Sequence, residues 1–202
     1  MGEISRGSVS IRGLATKDEA IQIDKSTHSI PILNYVHHKI HNGTSFSAYS
    51  SSSDLDTTTM DITFTTSDSA KYLHMFAHGD STGAAKLEIW EDAKISDNGT
   101  EIVAINSRRV GTPRTSIIQS THASATAGSY VRDATISNAG MLLYREYMGV
   151  GKDKGGGESR EEKELILDSD TTYLFRFQSL AIDIVAHLQL HWYEHADLDI
   201  II

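Results

Sequence analysis

Between Ile182 and Tyr193 the chain alternates without a break. Ile182, Ile184, Ala186, Leu188, Leu190 and Trp192 are apolar, and Asp183, Val185, His187, Gln189, His191 and Tyr193 lie between them. Successive side chains of a strand point to opposite faces, so a period of two over this length predicts a half-buried strand. The same rule selects Met60, Ile62 and Phe64 against Asp61, Thr63 and Thr65, and Leu87 and Ile89 against Lys86 and Glu88. Ile102 to Ile105, Met141 to Tyr147, Lys163 to Leu167 and Thr172 to Phe177 have similar β-type composition, and Asp168-Ser169-Asp170 reads as a turn before Thr171. Asn98-Gly99 favours positive φ, so Lys86 to Asn106 is expected to be two strands joined by a turn.

Helical signals are confined to Lys17 to Asp24 and the charged stretch Arg160 to Glu164. A parallel α/β sheet needs a crossover helix between successive strands, and the spacing leaves no room for one. The expected fold class is therefore all-β, an antiparallel β-sandwich that is jelly-roll-like, with an extended N-terminal arm. Residues 1–33 are polar and weakly periodic and read as the arm, which orders on a partner or sister subunit; the alternative is an N-terminal tail with no role. Residues 34–195 form the sandwich domain. Residues 196–202 form a C-terminal tip whose Ile200, Ile201 and Ile202 need a surface to pack on.

Composition removes several functions. The chain has 202 residues, enough for one well-buried domain without staples. Its formal charge of −9 repels nucleic acid and anionic membranes, so neither is expected as a partner. The absence of cysteine excludes disulfides, thiolate nucleophiles and Cys-type zinc sites. Ser and Thr make up about a fifth of the residues. No run of about 18 apolar residues occurs, and Met1 to Ala15 lacks the order of a secretory signal, so the chain reads as soluble and unprocessed.

No constellation points to catalysis. Of ten histidines, His37, His38 and His41 cluster, His74 and His78 are four apart, and His187, His191 and His195 repeat every four. A spacing of four serves a helix. In the C-terminal strand it separates side chains by about 13 Å, too far to share one ion. Gly79-Asp80-Ser81-Thr82-Gly83 matches the nucleophile-elbow pattern, but a strand follows where a helix is needed, so it reads as a loop between strands. Gly149-Val150-Gly151-Lys152 lacks phosphate-loop spacing, with Asp153 where the hydroxyl residue should be. Lys152 to Glu164 around Gly155-Gly156-Gly157 reads as a solvated or partner-contacting loop. Asp54 with Asp56, and Asp168 with Asp170, suit turns better than calcium loops, and Asn42 and Asn98 open Asn-Gly-Thr tripeptides that read as turns. Arg108, Arg109 and Arg114 form the one basic patch, which reads either as a partner for carboxylates or as a solvated loop. The expectation is no enzyme, with no catalytic residue, cofactor or metal site; a metal-dependent cupin-type enzyme would rest on the histidine count alone.

Tyr35-Val36-His37-His38-Lys39-Ile40-His41-Asn42-Gly43-Thr44-Ser45-Phe46 resembles the opening signature of a family of tailed-bacteriophage virion structural proteins. Glu164-Leu165-Ile166-Leu167, Thr171-Thr172-Tyr173-Leu174-Phe175-Arg176 and Trp192-Tyr193-Glu194-His195 resemble its C-terminal half, with Gly155-Gly156-Gly157 in its glycine loop. The likeness spans residues 35–195, and its ends carry it more than the middle, Asp68 to Thr135. The resemblance implies a capsid decoration or cement protein: a β-sandwich module, a homotrimer, bridging major capsid protein subunits on the outer capsid surface of the virion. It implies no catalytic residues. The competing expectation is a receptor- or glycan-binding module of a head or tail fibre, suggested by the sandwich and its Tyr and Trp content.

Overall fold

A computed structural model describes residues 35–68, 71–97, 99–112, 114–122, 124–149, 157–158 and 164–196. The expected arm at 1–33, all of the expected tip beyond Ala196, and most of the glycine loop lie outside the described residues.

In chain order the elements are helix α1 (Tyr35–His41) and strands β1 (Ser45–Leu55), β2 (Thr59–Thr66), β3 (Lys71–Ser81), β4 (Ala85–Glu91), β5 (Lys94–Asp97), β6 (Thr100–Val103), β7 (Ile105–Asn106), β8 (Ile118–Gln119), β9 (Ser129–Arg132), β10 (Thr135–Asn138), β11 (Met141–Met148), β12 (Gly157–Glu158), β13 (Glu164–Leu167), β14 (Thr172–Ser179) and β15 (Ile184–Ala196). The protein is all-β, and the pairings between these strands are antiparallel.

Four of the pairings are nested: β1 with β15, β2 with β14, β3 with β13, and β4 with β11. They are the rungs of one long hairpin. The hairpin rolls up because β15 also pairs with β3, and β14 with β4. One sheet therefore runs β13-β3-β15-β1, extended by β7 and β12. The other runs β11-β4-β14-β2, extended by β9, β6 and β8. The result is an antiparallel β-sandwich. The connection between β4 and β11 carries a separate two-stranded sheet of β5 and β10.

The alternation read from the sequence sets which face is inside. Phe46 and Ala48 of β1, Ile62 and Phe64 of β2, Met75 of β3, Leu87 and Ile89 of β4, Phe175 and Phe177 of β14, and Leu188, Leu190 and Trp192 of β15 form one buried cluster between the sheets. Phe64 stacks on Phe175 of its own sheet at 5.6 Å and meets Trp192 of the facing sheet at 6.5 Å, and Trp192 stacks on Phe46 at 5.7 Å. Each such ring contributes about 1.5–3 kcal/mol by leaving water. Gly79 leaves the room this requires, since a Cβ there would lie 2.9 Å from the Phe177 ring. Strand ends are marked by aspartates in the left-handed region, which tolerates Asp better than most residues: Asp92, Asp133, Asp170 and Asp183 have φ of 60, 53, 50 and 52°.

Four expectations are corrected. The strands flanking Asn98-Gly99 do not form a hairpin: β4 pairs with β11 and β14, β5 with β10, and β6 with β9. Gly99 is required by close passage, because a Cβ there would lie 1.9 Å from the Arg132 carbonyl oxygen. Gly79, Asp80 and Ser81 belong to β3, so the loop is confined to residues 82–84. Ile182 lies outside β15, in the turn that precedes it. A helix occurs at Tyr35–His41, where none was expected; the strand expected at Lys163 to Leu167 is present as β13, and the helical expectations at Lys17 to Asp24 and Arg160 to Lys163 lie outside the described residues.

Candidate functional site

The outer face of the β13-β3-β15-β1 sheet collects His74, His78, His187, His191 and His195. Residues of β15 that alternate with the core, His187, Gln189, His191, Tyr193 and His195, stand beside Asp80, His78, Phe76, His74 and Tyr72 of β3. His187, His191 and His195 are thus strand residues, as the sequence indicated. At one end of this face a chain of polar contacts crosses three strands. Glu164 Oε1 lies 2.7 Å from His74 Nδ1 and accepts a hydrogen bond of 2.7 Å from the Tyr193 hydroxyl. His74 Nε2 lies 2.8 Å from His195 Nε2, and His195 Nδ1 lies 2.6 Å from the Ala196 carbonyl oxygen. The His74 ring stacks on Tyr193 at 4.6 Å, which fixes its plane.

Carboxylates and carbonyls only accept, so Nδ1 is the donor of each ring in these contacts, and the two Nε2 atoms face one another. The Tyr193 hydrogen bond, opposed by partial burial and helped by His74, holds the Glu164 carboxyl below its usual range. Sequence spacing had grouped His74 with His78, and His195 with His187 and His191. The structure instead joins one member of each group, 121 residues apart. Among the described residues, no group of three or more His, Asp or Glu is placed to hold a metal ion.

On the core side, Glu194 is buried and ties the 114–118 segment to β15. Its Oε1 accepts from Ser116 Oγ at 2.5 Å, the Ile117 amide at 2.9 Å and Trp192 Nε1 at 3.2 Å. Burial pushes its carboxyl above the usual range, although these three donors oppose the shift. In the window between the usual carboxylate range and that raised value, the folded state binds more protons than the unfolded state. Stability therefore falls as pH rises through it. Gln at this position keeps the accepting oxygen and cannot ionise. Glu194→Gln is expected to flatten this part of the pH dependence, which urea melts at a series of pH values would measure; an unchanged slope would contradict the assignment.

Across the other sheet, Asp61 of β2, Arg176 of β14, Glu88 of β4 and Arg145 of β11 occupy one register line. Arg176 binds Asp61 through two contacts of 2.9 and 2.7 Å, and Arg145 Nε meets Glu88 at 2.6 Å. Alternating signs let each charge face an opposite one across the strands. Both carboxylates are nevertheless almost fully buried, with Asp61 3% and Glu88 2% exposed. The Asp61 hydrogen bonds hold Arg176 in its charged form.

The sandwich end that carries the β1–β2, β3–β4 and β14–β15 connections exposes three aliphatic side chains among the polar Asp56, Thr57, Thr82 and Asp183. Leu180, Ile182 and Val185 are 42, 66 and 51% exposed there. The connections are stitched together: Leu180 N donates to Ala84 O at 2.8 Å, Thr57 N to Ala181 O at 3.3 Å, and Val185 N to Thr82 Oγ1 at 2.9 Å. Thr57 keeps a φ of 47°, costly for a β-branched residue, within this tied set. The apolar side chains are thus presented on ordered backbone.

The remaining sequence candidates fall into place separately. Ser81 Oγ, on the last residue of β3, donates to the Gly83 carbonyl at 2.7 Å in the loop that follows. Asp168 caps its turn through the Ser169 amide at 2.8 Å, and Asp54 lies in β1. Arg109 and Arg114 line a shallow hollow of about 280 Å³ with Thr115 and Ser116, and the Arg108 side chain lies against Gly43. His37 and His41 sit one turn apart on α1 with Nε2 atoms 2.9 Å apart. Compared with known proteins, the chain matches no family model, no curated protein and no solved structure.

Proposed function

We propose that the chain is a non-enzymatic structural protein of a tailed-phage virion, one that decorates the outer capsid surface and bridges major capsid protein subunits. The observation that carries this reading is the exposure of Leu180, Ile182 and Val185 on hydrogen-bonded loops at one end of the sandwich. Exposed aliphatic side chains on ordered backbone are docking devices, because little conformational entropy is lost when a partner covers them. The stretch that resembles phage structural proteins, 35–195, runs from the first residue of α1 to the penultimate residue of β15. The likeness therefore spans the sandwich from its first described element to its last. A lattice multiplies modest contacts: three linked copies, the trimer that the resemblance implies, gain avidity of roughly 10²–10⁴.

The test is binding of purified protein to expanded heads that lack it, followed by co-sedimentation. Ile182→Asp with Val185→Asp is expected to abolish binding while leaving the fold intact, since both side chains already face solvent. Wild-type binding by this double variant would overturn the docking role of the end. Failure of the wild type to bind heads, together with labelling of fibres on intact virions, would favour the fibre module.

A further inference from the structure

We propose that His74 and His195 form a two-imidazole site for a borderline divalent cation of the Zn²⁺, Ni²⁺ or Cu²⁺ class. Their Nε2 atoms come from neighbouring strands and point at one another across 2.8 Å. Each ring has its other nitrogen occupied by an acceptor, Glu164 Oε1 at 2.7 Å for His74 and the Ala196 carbonyl at 2.6 Å for His195. A metal-binding histidine has this arrangement: the outer N–H is given to a carboxylate or carbonyl, which fixes the tautomer and leaves the inner lone pair for the ion. Here both rings have it, and both inner nitrogens converge.

Geometry sets the adjustment. Zinc lies about 2.0–2.1 Å from each imidazole nitrogen, so a tetrahedral ion needs the two nitrogens roughly 3.3 Å apart. The rings must therefore separate by about half an ångström and tilt so that both lone pairs meet off the line joining the nitrogens. His195 is the penultimate residue of β15 and its ring is only half-buried, so it can turn outward, while His74 stays fixed between Tyr193 and Glu164. Two coordination positions remain for water or a ligand from outside this pair. Imidazole nitrogen selects zinc, nickel and copper over calcium and magnesium. The two histidines sit on different strands and cannot be paired by spacing, which is why a reading of intervals along the chain passes over them. The site is independent of any role on a capsid.

Calorimetric titration of the full chain with ZnCl₂ and NiCl₂, after chelator treatment, is the test. The wild type is expected to bind one ion more than His195→Ala and one more than His74→Ala. Glu164→Gln should keep that stoichiometry and weaken the affinity by about 10–100-fold, the usual effect of removing a partner of a ligating histidine. His37→Ala distinguishes the helix pair and should leave this ion in place. Histidine ring resonances provide a second readout: Zn²⁺ should shift those of His74 and His195. Equal stoichiometry and affinity in the wild type and both strand variants, or shifts confined to His37 and His41, would overturn the proposal. Thermal melts in chelator verify that the variants fold, and His195→Gln replaces His195→Ala if the latter does not.

Discussion

Arg176→Leu is expected to destabilise the protein by about 3–5 kcal/mol, the cost of leaving a buried charge without its partner. Asp61 is 3% exposed and receives both contacts of the Arg176 guanidinium, so its carboxylate has no comparable donor once the arginine is gone. Neighbouring Glu88 would keep Arg145 and Lys86, at 2.6 and 3.0 Å, so the damage should stay local. The double variant Asp61→Leu with Arg176→Leu is expected to recover most of the loss, because replacing both charges by apolar side chains removes the desolvation cost along with the attraction. Denaturant melts of the wild type, Arg176→Leu, Asp61→Leu and the double variant form the cycle. A single variant within about 1 kcal/mol of the wild type would show that the pair is not desolvated as described.

Trp192→Ala should cost a similar amount, about 3–5 kcal/mol. Trp192 is 1% exposed, and its ring lies between Phe46 of its own sheet and Phe64 of the facing one. Alanine would open a cavity where the two sheets meet. It would also remove the indole N–H that donates to Ser116 at 3.1 Å and to Glu194, leaving that buried carboxylate with two donors in place of three. Trp192→Phe separates these effects: the ring contacts largely remain and the hydrogen bonds go, so roughly a third of the loss is expected, on the order of 1 kcal/mol. Thermal unfolding followed by fluorescence of Trp90 reads all three proteins. Equal losses for Ala and Phe would mean that the hydrogen bonds, not the packing, make Trp192 necessary.

The alternation in β15 and β2 was legible because burial on one face of a sheet writes period two directly into the sequence, and Leu188, Leu190, Trp192, Ile62 and Phe64 are all in the core. The turn at Asp168 to Asp170 was legible for a similarly local reason, since Asp tolerates positive φ and Asp170 has it. Pairing was not legible. Asn98-Gly99 has the composition of a hairpin turn, yet which strands pair depends on the nested order of β4, β11 and β14 far along the chain. Helix α1 escaped detection because Tyr35-Val36-His37-His38-Lys39-Ile40-His41 has no acidic residue in its first turn and no broad apolar stripe.

The site followed the same division. The strand character of His187, His191 and His195 came from local pattern, but the meeting of His74 with His195 and Glu164 is a product of sheet register. Asp61 with Arg176 is another, at 115 residues' separation. The exposed aliphatic set depends on Ile182 lying outside the strand that its alternation suggested. A strand that begins at Ile184 and not at Ile182 leaves an expected core side chain exposed.

The central claim is that this sandwich is a building block of a capsid surface. Quantitative mass spectrometry of purified virions, with copy number calibrated against the major capsid protein, tests it most directly. The account predicts copies in the hundreds per particle, in fixed proportion to the capsid lattice. A value of a few to a few dozen copies, or absence from the particle, would contradict it.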